Sequence, residues 1–157
     1  MHLFYHCEPS ADAFATLARQ AAEQWNTTLS GLVVLTEWVS NPTLPPNITI
    51  SLDDGATVRS PMNPTRVAQC RRDGYYEWSI DLSAAVRWDI TGWQRFWGRN
   101  ENALAALVHE MGHVFRLPHS ANPLDVMHPE IGGSGKLGKA ERARYRAKYI
   151  HILESEA

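Results

Sequence analysis

The stretch 109–119 places three histidines and a glutamate at spacings that suit a metal ion. The apolar residues around it predict a helix over 103–115, in which His109 and His113 lie about 40° apart around the axis, on one face. His119 follows only six residues after His113, so a sharp chain reversal would return a third imidazole to the same ion. Glu110, next to the first of these ligands, is the candidate general base. Three neutral nitrogen ligands leave a fourth position of a zinc ion open for water, whose pKa then falls to about 7.

The residues before the motif favour an amphipathic helix with one face in the core. The core stripe has the spacing i, i+4, i+7 and i+11 and consists of Leu104, Val108, Met111 and Phe115. A second stripe beside it consists of Ala105, His109 and His113. Asn100 or Asn102 can cap the first turn. The alternative is an ordinary helix with surface histidines, but that alternative has to account for three His and one Glu at ligand spacing.

A longer run, 109–129, carries a resemblance to a known family. Its sequence, HEMGHVFRLPHSANPLDVMHP, resembles the zinc-binding and Met-turn signature of the metzincin metallopeptidases, most closely the matrixin branch. The family pattern is HExGHxxGxxHS, a short wall segment and a VMxP turn. The resemblance implies an α+β, metzincin-like catalytic domain with a twisted, mostly parallel sheet, an antiparallel edge strand, a backing helix, an active-site helix and a C-terminal helix.

The same resemblance assigns roles to individual residues. It implies that one catalytic zinc ion is bound by His109, His113 and His119, that Glu110 is the general base, and that Met127 lies beneath the ligands. The chain departs from the pattern at Arg116, where the family has a glycine that lets the chain turn sharply. A non-glycine residue at positive φ is uncommon and strained. Either the turn is built differently here or a modest strain is tolerated.

Substrate contacts are predicted on both sides of the metal. Matrixins bind an extended peptide antiparallel to an edge strand above the zinc, which is a case of strand addition to a sheet edge. Residues 65–71 are the candidate for that strand; the alternative is that they belong to an ordinary hairpin. The candidate substrate-binding residues are Arg116, His128, Pro129, Val67 and Gln69. Ile131 replaces the tyrosine of many matrixins, so we do not transfer details of the specificity pocket.

Periodicity and turn residues predict the remaining elements. We expect strands at 3–7, 32–39 and 48–52, a helix capped by Ser10 and ending near Trp25, and a hairpin of 65–71 and 75–82 around 72–74. Tyr76, Trp78, Ile80 and Leu82 would point to one side. The aromatic run 87–100 is expected to pack as a core turn, with Trp93, Phe96 and Trp97 at helical spacing. A C-terminal helix over 139–153 would turn Ala140, Ala143, Ala147 and Ile150 inward.

Composition limits the class of protein. At 157 residues the chain is expected to be one domain, with an N-terminal lobe of about 1–115 and a C-terminal lobe of about 116–157. A formal net charge of −2 gives no attraction to nucleic acid or anionic membranes. We find no export signal and no membrane span, which favours the cytoplasm unless the protein is exported by another route. We also expect a monomer. Cys7 and Cys70 fit one disulfide or two free thiols equally well. A structural calcium ion on Asp53, Asp54 or Asp73 stays open.

These observations predict a zinc-dependent endopeptidase acting on a protein or peptide substrate. A second candidate is a metal-dependent endoribonuclease with the H-x3-H-x5-H spacing, although such proteins usually have glycine where this chain has Glu110, and they lack a VMxP turn. A third is a non-catalytic, metal-stabilised binding module in which the guanidinium of Arg116 occludes the cleft or misplaces His119.

Overall fold

The computed structural model describes residues 1–53, 66–91, 100–131 and 133–157. Its strands are β1 (His2–Cys7), β2 (Val34–Glu37), β3 (Ile48–Asp53), β4 (Ala68–Gly74), β5 (Glu77–Ser83), β6 (Trp88–Asp89) and β7 (Glu101–Asn102). Its helices are α1 (Ala15–Thr28), α2 (Ala103–Val114) and α3 (Lys139–Glu156), and a 3₁₀ helix over Pro9–Phe14 leads into α1. None of the helices described is both long and apolar enough to cross a membrane.

Within these residues, β1 to β5 form one sheet in the order β2-β1-β3-β5-β4. The pairs β1·β2, β1·β3 and β3·β5 are parallel, whereas β4 runs antiparallel to β5 at the edge. The predicted mixture of helices with a mostly parallel sheet and an antiparallel edge strand is therefore confirmed. Strands β6 and β7 form a separate short parallel pair immediately before α2.

One face of this sheet is buried under the helices. Trp78, Ile80 and Leu82 alternate along β5 and point into the core, as period-2 alternation predicts. Helix α2 contacts β4 and β5, and α1 packs against α2. The buried face of α1 includes the small residues Ala18, Ala21 and Ala22. A single apolar cluster runs from Leu3 in β1 to Tyr149 in α3. The metal-motif helix is thus packed into the main core.

Trp25 joins the three helices at the centre of this cluster. Its side chain is fully buried, and its indole N–H donates a hydrogen bond of 2.9 Å to the backbone oxygen of Val108 in α2. The indole also contacts the ring of Phe115 at the end of α2 and the ring of Tyr145 in α3, with centroid distances of 5.5 and 5.7 Å. Because α2 carries two of the candidate ligands, Trp25 ties these ligands to α1 and α3.

Two local predictions in the N-terminal half are wrong. Ser10 does not cap the long helix, because its hydroxyl accepts a hydrogen bond from the backbone N–H of Leu52 and so ties the 3₁₀ turn to β3. The hairpin turn falls at Tyr75 and Tyr76, since Gly74 still pairs with Glu77. Tyr76 therefore does not share the inward face of β5 and is 51% exposed.

The prediction for the inward face of α3 is also wrong. The three predicted alanines are exposed, and Tyr145 and Tyr149 fill the core instead, with 1% and 4% of their surface exposed. Burying an aromatic body removes far more apolar surface from water than burying a methyl group, provided that the hydroxyl finds a partner. Several predictions lie outside the described residues: Thr65 of the candidate edge strand, Asp54 of the calcium candidates, and the turn of Trp93, Phe96 and Trp97.

Replacement of Trp25 by phenylalanine tests this central position. Trp25→Phe removes the indole N–H, so the buried backbone oxygen of Val108 loses this hydrogen bond. We therefore expect the free energy of unfolding to fall by about 1–3 kcal/mol. Trp38→Phe is the matched control, because its indole bond to the Leu44 oxygen is exposed to solvent; its cost should stay below about 1 kcal/mol. Urea denaturation followed by circular dichroism measures both, and equal losses in the two variants would contradict this account.

Candidate metal centre

Helix α2 and the turn after it bring the three predicted ligands together. The Nε2 atom of His113 lies 3.1 Å from Nε2 of His109 and 3.2 Å from Nε2 of His119. Among the described residues, these three form the one group of ligand-type side chains close enough to share a metal ion, with their ring nitrogens within 4.8 Å of one another. Asn102 starts the helix as predicted, because its side chain accepts a hydrogen bond from the backbone N–H of Ala105.

Backbone carbonyls fix the orientation of two of these rings. Nδ1 of His109 lies 2.7 Å from the oxygen of Val126, and Nδ1 of His113 lies 3.0 Å from the oxygen of Leu117. A carbonyl oxygen can only accept, so both Nδ1 atoms carry the proton and both Nε2 atoms present a lone pair. Lone pairs about 3 Å apart repel each other unless a cation lies between them. The arrangement is therefore suited to a metal ion, and the carbonyls act as the outer partners that orient its ligands.

Burial keeps these imidazoles neutral. His109 is 2% exposed, and its burial lowers its pKa to about 4. Burial also lowers the pKa of His113. A group that is already deprotonated at neutral pH does not have to release a proton when it binds a metal, so a dication meets little competition from protons here.

Glu110 combines burial with access to the cleft. Its side chain is 3% exposed and lines the cavity beside the histidines. Burial raises the pKa of Glu110 to about 8, and the positive charge of Arg66 offsets part of this rise. A bound dication would favour the carboxylate in turn. The group can therefore exchange a proton near neutral pH, which is the requirement for a general base.

The chain reverses after α2 through a Schellman motif. The N–H of Leu117 bonds to the oxygen of Gly112 at 3.2 Å, and the N–H of Arg116 bonds to the oxygen of His113 at 3.0 Å. Arg116 adopts the left-handed conformation with φ of 61°. The turn is thus the one that a glycine ordinarily makes, and a strain of about 1–2 kcal/mol is tolerated. It brings His119 to the other two ligands.

The side chain of Arg116 points away from the metal ligands. Its guanidinium forms an ion pair with Glu156 at the end of α3, and it is not among the residues that line the cleft. His128 also lies outside the cleft lining; its Nδ1 accepts a hydrogen bond from the backbone N–H of Glu130. Of the predicted substrate-binding residues, Arg116 and His128 therefore do not line the cleft.

Met127 is fully buried and lies against α2. A Cβ on Gly112, between the two helical ligands, would come within 2.5 Å of the sulfur of Met127 and 3.1 Å of the Trp25 ring. The glycine of the motif is therefore explained by packing, because only a residue without a side chain leaves room for this sulfur. The backbone oxygen of Met127 also accepts a hydrogen bond of 2.9 Å from the N–H of Ser120.

A cleft of about 660 Å³ opens in front of the histidines. The edge strand β4 and the residues before it form one wall, and the segment after Met127 forms another. Of the predicted substrate-binding residues, Val67, Gln69 and Pro129 line it. Arg66, Ala68 and Cys70 also line the cleft and belong to the predicted edge 65–71, and Ile131 lies there as well. The sequence interpretation missed Glu101 and Glu130, which no motif marks.

Both cysteines are free thiols. Burial raises the pKa of Cys70 to about 12, with a further contribution from the negative charge of Glu110. Burial likewise raises the pKa of Cys7 to about 11. At neutral pH both sulfurs therefore keep their protons in the metal-free protein. Although Cys70 lies in the cleft wall, it is not in the group of described side chains close enough to share a metal ion.

Comparisons with known proteins add no assignment to this geometry. No model of a protein family matches the chain, and no curated protein matches it. The residues of the cleft and the resemblance of their sequence pattern are therefore the observations that bear on function.

Replacement of Gly112 by alanine tests the packing under the ligands. The new methyl group has to displace Met127 or Trp25, so we expect Gly112→Ala to lower the free energy of unfolding by about 1–3 kcal/mol, the usual effect of overpacking a core. A Cβ at Gly133 meets nothing within 4 Å, which makes Gly133→Ala the control. That variant should be as stable as the wild type or slightly more stable. Thermal and urea denaturation compare the two; a fully stable Gly112→Ala protein would refute the packing argument.

Proposed function

We propose that this protein is a zinc-dependent endopeptidase of the metzincin type. The observation that carries the proposal is the convergence of three Nε2 atoms beside the buried carboxylate of Glu110, within one cleft. The resemblance of 109–129 to the metzincin signature supports it. So does the order of elements, because a mostly parallel sheet with an antiparallel edge, followed by a metal helix, a Met-containing turn and a final helix, is the arrangement that this resemblance implies.

The donor set favours zinc over other common ions. The ligands are three imidazoles, which suit zinc, whereas calcium and magnesium prefer oxygen ligands. Three protein ligands with the fourth position open are typical of catalytic zinc sites. When bound, zinc would supply a Lewis acid for the scissile carbonyl and would lower the pKa of a water molecule.

Glu110 would handle the proton. Its carboxylate lies in the cleft next to a ligand, so it can accept a proton from the attacking water and pass it to the nitrogen of the departing amine. His109, His113 and His119 would hold the metal in a fixed place relative to this base. Water exclusion by the cleft walls would strengthen the electrostatic contribution of each group.

The strand β4 supports a peptide as the substrate. Its outer edge has no neighbouring strand in the described sheet, and residues 66–70 line the cavity. An extended peptide can add to such an edge through backbone hydrogen bonds, which would align a scissile bond along the cleft. Gln69 and Val67 would then lie beside the bound backbone.

Charge in the cleft weighs against the ribonuclease alternative. Among the residues that the structure describes, three acidic side chains, Glu101, Glu110 and Glu130, line it together with the cation of Arg66. Nucleic-acid sites are instead rich in lysine and arginine, because they neutralise phosphates. The non-catalytic alternative assumed that Arg116 occludes the cleft. Its guanidinium pairs with Glu156 instead, which weighs against that alternative.

The test separates metal binding from proton transfer. We expect Glu110→Gln to bind one equivalent of zinc as the wild type does, but to cleave casein about 10²–10⁴ times more slowly, which is the usual contribution of a general base. Glu23→Gln, on the exposed surface of α1, is the control and should cleave normally. Undiminished cleavage by Glu110→Gln would overturn the assignment. Degradation of RNA by zinc-loaded wild-type protein that leaves casein intact would favour the ribonuclease.

A further inference from the structure

Helix α3 holds the turn that supports the metal ligands. Oε2 of Glu141 accepts a hydrogen bond of 2.8 Å from the backbone N–H of Val126. One helical turn further on, the hydroxyl of Tyr145 accepts a weaker one, of 3.3 Å, from the N–H of Met127. Arg144 donates to the carboxylate of Asp125 at 2.9 Å. Three consecutive residues of the turn, 125–127, are thus tied to a single helix.

These contacts fix a peptide group that a ligand uses. The oxygen of Val126 accepts the Nδ1 proton of His109, and the same peptide group carries the N–H of Met127. That N–H is held by Asp125 at 3.2 Å as well as by Tyr145. Glu141 fixes the N–H on the other side of Val126, so the backbone of this residue is restrained from both directions. The carbonyl therefore cannot rotate without breaking a bond to α3.

We propose that Glu141 is a positioning residue for the metal centre: through the backbone of Val126 it sets the carbonyl that orients His109. The inference rests on the proposed metal centre and adds a residue of α3 that does not touch the metal. Outer partners of a metal-binding histidine fix its tautomer and ring orientation, and their loss typically weakens metal binding 10–100-fold.

The reach of the side chain matters more than its charge. Burial raises the pKa of Glu141, and the neighbouring carboxylate of Asp125, to which it also hydrogen-bonds, raises it further. A glutamine at this position keeps an oxygen that can accept from Val126 and adds an N–H that can donate to Asp125. An aspartate keeps the charge but is one methylene shorter, so it withdraws the oxygen from Val126. The two substitutions therefore separate the two contributions.

The experiment measures the zinc dissociation constant by competition with a chromophoric chelator. We expect Glu141→Gln to bind zinc within about threefold of the wild type and Glu141→Asp to bind it about 10–100-fold more weakly. In proton NMR spectra of the zinc-loaded protein, the resonance of the His109 Nδ1 proton should shift in Glu141→Asp and remain unchanged in Glu141→Gln. Both readouts are independent of peptidase activity.

A matched variant of the same helix controls for stability. Arg146 donates hydrogen bonds to the backbone oxygens of Thr28, the last residue of α1, and of Ser30. Arg146→Ala should therefore lower the melting temperature of the metal-free protein and leave zinc affinity within about threefold.

Three results would overturn the inference. The first is zinc binding by Glu141→Asp as tight as that of the wild type, and the second is a loss of zinc affinity in Glu141→Gln as large as in Glu141→Asp. The third is a loss of zinc affinity in both Arg146→Ala and Glu141→Asp that is proportional to the fall in melting temperature. A wild type that binds no zinc would instead overturn the metal centre itself.

Discussion

The close approach of three imidazole nitrogens is the feature that the packing around the site has to hold in place. The Nε2 atom of His113 lies 3.1 Å from that of His109 and 3.2 Å from that of His119, and carbonyl acceptors prevent His109 and His113 from placing a proton between them. Such an arrangement is unfavourable in a metal-free protein unless the surrounding packing enforces it. The buried indole of Trp25 on one side and the turn bearing Met127 on the other supply that enforcement, and a cation would remove the repulsion.

The departure at Arg116 shows how local backbone geometry can be kept when its usual residue is lost. The Schellman hydrogen bonds need a residue in the left-handed conformation, not glycine as such. Arginine adopts it at a small cost, and its long side chain reaches Glu156 in α3. Because this ion pair is about half exposed, it contributes little energy, at most about 1 kcal/mol. Its clearer effect is to keep the guanidinium out of the cleft.

Sequence reasoning found what is local and periodic. The helical spacing of His109 and His113 and the Asn102 cap were predictable, since each follows from a short pattern, whereas the mixed sheet was implied by the resemblance of 109–129 to the metzincin signature. The inward face of α3 was not, because the alanines and the tyrosines have similar helical spacing and only tertiary packing chooses between them. Ser10 was misassigned because its hydroxyl bonds to Leu52, a residue distant in sequence. The role of Glu141 has the same origin, since its partner Val126 lies fifteen residues away.

X-ray absorption spectroscopy of the zinc-loaded protein would identify the atoms that bind the metal ion. We predict one zinc ion per chain, with three imidazole nitrogens and one oxygen at about 2.0–2.1 Å. A zinc–sulfur distance of about 2.3 Å, which would indicate ligation by Cys70, would contradict it. A spectrum with fewer than three imidazoles would also contradict it, because His109, His113 and His119 would then not bind one ion together.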